Sequence, residues 1–470
     1  MTSDPLTEQP PPESAGDLAA VILAAGMGTR MKSRLPKVLH PLVGLPLVGH
    51  VLRALAPLAP ARTVLVVGHG GEQVQAALGP AYTYVTQQPQ QGTGHAVLQA
   101  HSALAAHHGP LLVLYGDTPL LQPATLTALV ARHRAQPGTR VTLLTSHAAD
   151  PSGYGRVLRD AAGRVTDIVE ERVATPAQRA LQEINSGLYC FDSAWLWPRL
   201  AALPRHPGAG EYYLTDMIAV ASAEAAGSVA TLALDDMDEV AGINNRVQLA
   251  EADRVLRDRI RRYWMLAGVT LLDPATTYID ADVTLGQDTT LYPGCILEGA
   301  TTVGDDCRLG PNARLIHATV GDSCTVGMSL LEHCTLEAGV DVGSFNHLRP
   351  GAYLSSGVHL GNFAEVKNSH LGPQVAMGHF SYLGDADVGA GTNIGAGTIT
   401  VNLGADGQKH RTTIGAGAFI GSDSLLIAPV TVGPGAMTGA GAVVNHDVAP
   451  DTLVVGMPAR PLRRRTPAPS

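Results

Sequence analysis

Val303-Gly304, Leu309-Gly310, Val320-Gly321 and Val326-Gly327 repeat one pattern. Leu371-Gly372, Leu383-Gly384, Val388-Gly389, Ile394-Gly395, Ile414-Gly415, Ile420-Gly421 and Val432-Gly433 repeat it again further on. An aliphatic residue followed by a small one returns at steps of six, or near multiples of six, from about Asp280 to about Gly441. A six-residue period predicts a parallel β-helix in which each hexapeptide forms one flat side. Three sides close a coil of roughly eighteen residues, and aliphatic side chains of stacked coils fill the interior. The repeat alone leaves open whether the prism is a stacking and oligomerisation device or carries an acyltransferase site.

Composition fits such a prism. Of 470 residues, 52 are Gly and 32 are Pro, while aromatics make up only 4%, as a stack with small corner residues requires. The length suffices for two or three domains with sizeable cores. Charged residues are 16% and the formal net charge is −9. That balance argues against nucleic-acid binding and against a polybasic membrane patch. No apolar run reaches membrane-spanning length. Cys190, Cys295, Cys307, Cys324 and Cys334 form no C-x-x-C pair and read as buried, reduced thiols of a cytoplasmic protein. Residues 1–17 are Pro/Glu/Ser-rich, which predicts a disordered tail rather than a signal peptide.

From Leu18 onward the character changes. Buried-strand runs at Ala19–Leu23, Thr63–Val67, Leu111–Tyr115 and Val141–Thr145 alternate with helix-like stretches such as Leu47–Leu58 and Gly92–Ala105. This alternation predicts a three-layer α/β, Rossmann-like domain over 18–245 with a mainly parallel sheet. Ligands bind such sheets beyond the carboxyl ends of the strands. Leu249, Ala252, Leu256, Ile260 and Trp264 lie at helical spacing, so 246–267 reads as a linker helix ended by Gly268. A β-helix domain over 268–457 and a Pro- and Arg-rich tail over 458–470 complete the chain.

The strand-to-loop stretch Leu23-Ala24-Ala25-Gly26-Met27-Gly28-Thr29-Arg30-Met31 is the strongest local signal. Small residues let backbone approach a ligand, and successive N–H groups can cradle phosphate oxygens. It matches neither the dinucleotide fingerprint nor the P-loop, in spacing or in the terminal Lys-Ser/Thr. Arg30 and Lys37 would place two cations beside a triphosphate. Without them the loop would read equally well as a structural turn. Asp117, in Tyr115-Gly116-Asp117, ends a strand with a carboxylate. It can serve as a Mg²⁺ ligand or as a cap of the helix that follows.

The loop resembles the signature of sugar-1-phosphate nucleotidyltransferases. Gln87-Gln88 and Gln91-Gly92-Thr93-Gly94-His95-Ala96 resemble that family's base-reading segment. Gly153-Tyr154-Gly155-Arg156, Ile168-Val169-Glu170 and Ile184-Asn185-Ser186-Gly187 resemble its sugar-binding segments, and Gly242-Ile243-Asn244-Asn245-Arg246 would return an Asn to the metal. In this order, and joined to the prism, the motifs resemble the bifunctional N-acetylglucosamine-1-phosphate uridylyltransferase/glucosamine-1-phosphate acetyltransferase family from about Leu18 to about Met457. The resemblance implies a UTP or UDP-N-acetylglucosamine site at Leu23, Ala24, Ala25, Gly26, Arg30, Lys37, Gln87, Gly92, Thr93, Gly155, Glu170, Asn185 and Asn244. It implies Mg²⁺ on Asp117 and Asn244.

The resemblance also gives the prism a chemistry. Acetyl transfer from a thioester to an amine needs a base, because the attacking amine must be neutral, and an imidazole suits that task. One His among 18 would ordinarily be structural. His379 lies in G-H-x-x-Y-L-G-D-A, which matches the family's catalytic segment, and is implied as general base. Arg349 and Lys367 match phosphate-binding positions, and Tyr382 and Asn393 match amino-sugar contacts. Taken singly, Arg349 reads as a solvated corner residue and Lys367 as a stem packed on the prism. Ala396, Asn402, Leu403, Ser422 and Ala440 are implied for acetyl-coenzyme A, in a groove between prisms that would make the unit a homotrimer.

The polar stretch Leu403 to Thr412 predicts an extruded loop carrying Lys409. Two departures stand out. Members of the family commonly carry Asn-Tyr-Asp-Gly where this chain has Asn402-Leu403-Gly404-Ala405-Asp406-Gly407, so the loop is about a residue longer and lacks an aromatic contact. A cofactor-facing Arg of many members is replaced around Gly456-Met457-Pro458, with Arg460 nearby. The expected substrates are glucosamine 1-phosphate, N-acetylglucosamine 1-phosphate, UTP and acetyl-coenzyme A, with no nucleic-acid or membrane partner. Two other readings remain at this level. One is a single-activity sugar-1-phosphate nucleotidyltransferase with the prism as trimer scaffold, and the other is a non-enzymatic, nucleotide-regulated assembly protein.

Overall fold

A computed structural model describes residues 17–206 and 210–464. Residues 1–16 and 465–470, parts of the two expected tails, lie outside the described residues. The chain divides into two compact units, Met1–Leu256 and Arg257–Ser470.

The first unit is built on one sheet. Its strands are β1 (Ala19–Ala24), β2 (Arg62–Val67), β3 (Thr83–Thr86), β4 (Pro110–Tyr115), β5 (Val141–His147), β6 (Gly155–Arg159), β7 (Val165–Val169), β8 (Glu183–Asp192) and β9 (Val229–Leu234). They lie in the order β9-β5-β8-β4-β1-β2-β3, with the β6–β7 hairpin attached to β8. β1 runs parallel to β2 and β4. β8 is antiparallel to both β4 and β5, so the sheet is more mixed than the strand–helix alternation predicts. β8 follows the β6–β7 hairpin and the short helix Pro176–Arg179, and re-enters the sheet reversed.

Alternation along β1 explains the three layers. Ala19, Val21 and Leu23 face one core, while Ala20, Ile22 and Ala24 face the other, as the two-residue period of a strand requires. Helices Thr93–Gln99, Ser193–Ala201 and Asp216–Glu224 supply the first core through Val97, Leu196 and Met217. Helices Leu47–Leu55 and Pro123–Arg134 supply the second through Val51 and Leu129. The predicted Leu47–Leu58 helix tightens into a 3-10 turn at Ala56–Leu58, where Pro57 has no N–H to continue an α-helix. The predicted Gly92–Ala105 stretch forms two short helices, Thr93–Gln99 and His101–Leu104.

The 246–267 pattern is realised as helix Arg246–Leu266. Ala252, Leu256, Ile260 and Trp264 are buried along it. Gly268 follows with φ 97°.

The second unit is a left-handed parallel β-helix whose flat sides are sheets of 12, 10 and 9 short strands. On one side Leu297, Leu315, Leu331, Leu348, Val366 and Leu383 stack in register, each 0% exposed. The next inward place belongs to Thr400, also buried. Its hydroxyl donates to Gly384 O at 3.0 Å and accepts from Gly384 N at 2.7 Å, which meets the polar group's needs inside an aliphatic column. Just beyond, between Val401 and Thr412, the chain leaves the prism in a loop bridged by Leu403 and Lys409. All five cysteines are buried and free. Arg460–Arg464 runs antiparallel along Thr452–Val455, so the first part of the expected C-terminal tail is an edge strand.

Leu315→Ala removes one inward side chain far along the stack from the loop. Denaturant unfolding of the second unit should show a loss of about 2–5 kcal/mol. A loss below about 1 kcal/mol would contradict a tightly packed column.

Candidate functional site

The first constellation sits beyond the carboxyl ends of β1 and β4. Gly116 N donates to Leu23 O at 3.0 Å, tying the exit of β4 to that of β1. Leu23, Ala24 and Ala25 are buried beneath the loop, while Gly26 and Arg30 reach its exposed surface. Lys37 Nζ donates to Asp117 Oδ2 and, at 3.1 Å, to Asn244 Oδ1. Arg30 donates to the same Asn244 oxygen at 2.9 Å. Asn244 is held in place by its own N–H on Gln248 Oε1 at 2.8 Å, and Ile243 N donates to Asp117 O at 2.9 Å. Four residues far apart in sequence, Arg30, Lys37, Asp117 and Asn244, thus share one cluster. Lys37 and Asp117 side chains are only 13% and 15% exposed, so their charges act in a weakly screened setting.

Along one edge of this cluster Gln87 is nearly buried, and its amide donates to Gly92 O at 2.9 Å. Thr93 Oγ1 accepts from Leu214 N at 3.1 Å, and Gly94 N donates to Tyr212 O at 2.8 Å. On the other edge Gly155 opens β6 and pairs with Asn185 of β8. Asn185 donates to Tyr189 Oη at 2.7 Å and accepts from Gly187 N at 3.1 Å. Burial, reinforced by the Asp216 charge, raises the Glu170 carboxyl above its usual range, although Thr215 and Arg172 counter it.

Tyr115 was not singled out from the sequence. Its ring packs where a Cβ on Gly187 would come within 2.6 Å, and Gly187 has φ 82°, so that position needs glycine twice over. Burial and the charges of Asp117 and Glu170 push its phenol well above the usual range. Thr215, whose hydroxyl donates to Glu170 at 3.4 Å, and Gln90, which donates to Ala25 O, were also missed. Gln90 lies between the two quoted base-reading stretches, Gln87-Gln88 and Gln91–Ala96, whereas nothing local marks Thr215.

The second constellation occupies two corners of one prism side. Strands His347–Leu348, Ala364–Lys367, Ser381–Gly384 and Ile399–Val401 form that side in order. At its far end Arg349, Lys367 and Gly384 follow in register, with Asp385 and Asn402 one place beyond. Arg349 donates to Glu365 Oε1 at 2.8 Å. Asn402 donates to Asp385 Oδ2 at 2.5 Å and toward Tyr382 Oη at 3.4 Å.

At the near end, the ladder carries His379, Ala396, Ser422 and Ala440 into equivalent places of successive coils. Gly397 N to Phe380 O, Asp423 N to Ala396 O and Gly441 N to Ser422 O, at 2.7, 2.6 and 2.8 Å, stitch that corner. Asn393 lies on the adjacent side, in the strand Asn393–Ile394. Leu403 is 55% exposed at the root of the loop. Within one chain His379 and Lys367 therefore stand at opposite ends of the side, separated by roughly 10 Å of strand.

Among the described residues, no group of three or more His, Cys, Asp or Glu is arranged to hold a metal, and no helix is long and apolar enough to cross a membrane. Fold and site together define a two-domain transferase, with a nucleotidyltransferase unit followed by a hexapeptide transferase unit. Residues 20–213 match the MobA-like NTP transferase domain family. Residues 411–446 match the bacterial transferase hexapeptide (six repeats) family, and residues 300–330 match the hexapeptide repeat of succinyl-transferase.

Bifunctional protein GlmU of Heliobacterium modesticaldum is 48% identical over 93% of this chain and 94% of its own. The proteins of the same name from Trichlorobacter lovleyi and Geobacillus thermodenitrificans are 47% and 45% identical, each over 93% of this chain and 95% of their own. The chain belongs to the bifunctional GlmU family. Membership removes the single-activity and non-enzymatic readings.

Glu170 binds its proton more tightly folded than unfolded, so its ionised form costs stability above the usual carboxylate pKa of about 4.3. Glu170→Gln should therefore raise the melting temperature of the first unit at pH 7, and the gain should shrink as pH falls toward 4. An equal gain, or an equal loss, at both pH values would contradict the buried-carboxylate account.

Proposed function

We propose that this bifunctional enzyme makes UDP-N-acetylglucosamine in two transfers. The second unit acetylates glucosamine 1-phosphate with acetyl-coenzyme A. The first unit joins the product to UTP and releases pyrophosphate. The observation that carries the reading is the meeting of Arg30, Lys37, Asp117 and Asn244 in one hydrogen-bonded cluster at the strand ends.

In the first unit, the loop from Leu23 through Gly26 lies against the nucleotide phosphates. A phosphate oxygen of N-acetylglucosamine 1-phosphate attacks the α-phosphorus of UTP in line, and the bond to the β-phosphate breaks. Such chemistry needs positioning and charge neutralisation more than a protein acid or base. Arg30 and Lys37 stabilise the charge on the departing pyrophosphate. Asp117 and Asn244 contribute a carboxylate and an amide oxygen, the hard donors that Mg²⁺ takes, and would hold that ion. Bound there, it neutralises phosphate charge.

Glu170, Asn185 and the backbone at Gly155 hold the sugar, while Gln87, Gly92 and Thr93 face the base. Gln87 spends its Nε2 on Gly92 O, which leaves Oε1 to accept from the N3–H of uracil. Cytosine has an acceptor at that place, and two acceptors facing each other repel.

In the second unit, His379 takes the proton as the amine of glucosamine 1-phosphate attacks the thioester carbon and the coenzyme A thiolate leaves. Arg349 and Lys367 bind the substrate phosphate, and Tyr382 and Asn393 contact the amino sugar. Ala396, Asn402, Leu403, Ser422 and Ala440 line the cofactor site. The wide separation of His379 from Lys367 within one chain supports a homotrimer in which neighbouring prisms complete each site. UTP and acetyl-coenzyme A are cytoplasmic metabolites, so the reading places the enzyme in the cytoplasm.

Asp117→Ala should lower uridylyl transfer by a factor on the order of 100 or more and leave acetyl transfer intact. His379→Ala should lower acetyl transfer by a factor on the order of 100 to 10,000 and leave uridylyl transfer intact. Loss of both activities in each folded variant, read by thiol and pyrophosphate release, would contradict two separate sites. Gln87→Ala should reduce the preference for UTP over CTP in kcat/KM about tenfold, and an unchanged preference would remove Gln87 from base reading.

A further inference from the structure

Asn402 is assigned to a ligand, but a side-chain amide can be placed either way round, and its use depends on which end faces out. Asp385 decides this. The residue is 6% exposed, sits at a coil corner with φ 52°, and lies between Asn368 and Asn402 in consecutive coils. Its Oδ1 accepts from Asn368 Nδ2 at 2.6 Å and its Oδ2 from Asn402 Nδ2 at 2.5 Å. Its backbone ties the two adjacent coils as well, through Asp385 N to Lys367 O at 3.0 Å and Thr412 N to Asp385 O at 3.1 Å. Asp385 thus anchors the loop at its departure, through Asn402, and at its return, through Thr412.

An ionised carboxylate accepts hydrogen bonds and donates none. Both amides must therefore turn their NH₂ ends toward Asp385 and their Oδ1 ends away. Burial alone would raise the Asp385 carboxyl, but the two amides and the charges of Lys367 and Lys409 outweigh it and hold it below the usual range. The amino end of Asn402 also points toward Tyr382 Oη. A Cβ on Gly384 would come within 2.3 Å of that hydroxyl and 2.6 Å of Asn402 Nδ2, so the arrangement needs glycine there. Among the described residues, Asn402 Oδ1 takes no hydrogen bond.

We propose that Asp385 is a positioning residue for acetyl transfer, which locks Asn402 with its carbonyl oxygen outward to accept from an N–H donor on the ligand. The inference rests on the acetyl-transfer reading of this site. Two ligands carry such a donor, acetyl-coenzyme A in the amides of its pantetheine arm and glucosamine 1-phosphate in its amine.

The test uses the full chain and titrates coenzyme A and glucosamine 1-phosphate separately by calorimetry. Asp385→Asn keeps the shape and frees Asn402 to turn over. It should weaken one of the two ligands about tenfold, and that ligand is the donor. Uridylyl transfer should be unchanged, which reports that the rest of the chain is folded. The exchange Asp385→Asn with Asn402→Asp reverses the roles inside the pair but keeps an acceptor oxygen outward. It should return the affected Kd to within about threefold of the parent.

Two results would overturn the proposal. One is that both Kd values stay within about twofold in Asp385→Asn. The other is that binding is lost in both variants alike, which would make Asp385 merely structural. If the parent chain bound neither ligand and released no thiol from acetyl-coenzyme A, the acetyl-transfer reading itself would fail and take the inference with it.

Discussion

Register between successive coils is the constraint on which the second unit depends. Each coil places its aliphatic residues inward only if it stacks on the one before without slipping, because a one-residue slip turns every inward side chain outward. The Leu297 to Leu383 column shows the constraint met coil after coil. Its consequence at the surface is as important as its consequence inside. Residues separated by a whole coil in sequence become neighbours about 4.8 Å apart. Columns such as His379–Ala396–Ser422–Ala440 and Asn368–Asp385–Asn402 arise from that alone. Where the inward column admits Thr400, its hydroxyl is satisfied by the backbone of Gly384, and the chain leaves the prism three residues later.

The first unit reaches a similar end by a different route. Its sheet supplies parallel exits at β1 and β4, and the bond between Gly116 and Leu23 keeps them level. The loop after β1, the turn at Lys37, the residue after Gly116 and the approach to helix Arg246–Leu266 converge there. The cations and their oxygen partners come from four segments, so no single segment carries the site. Their mutual hydrogen bonds settle the charges against each other, as partly buried charged groups require.

Much of this was legible in the chain. The six-residue period declares the prism because every inward place must be aliphatic, and the apolar runs separated by helical stretches declare the three layers for the same reason. The reversed β8 was less visible, since strand composition does not carry direction. Arg30, Lys37, Asp117 and Asn244 were named through ordered motifs, and their mutual contacts are a tertiary fact no local pattern states. Tyr115 and Thr215 were missed because an aromatic at a strand end and a threonine at a helix start are ordinary residues there. Asp385 was read only as a letter of the His379 segment. That it controls the orientation of Asn402 depends on a stacking of coils 17 residues apart.

The central claim is that two different transfers act in sequence on one sugar phosphate. The most direct measurement incubates the full chain with glucosamine 1-phosphate, acetyl-coenzyme A and UTP, omits each in turn, and follows thiol and pyrophosphate release together. The account predicts thiol release without UTP, and pyrophosphate release from glucosamine 1-phosphate only when acetyl-coenzyme A is present. Pyrophosphate released at full rate without acetyl-coenzyme A, or no thiol release under any condition, would contradict it.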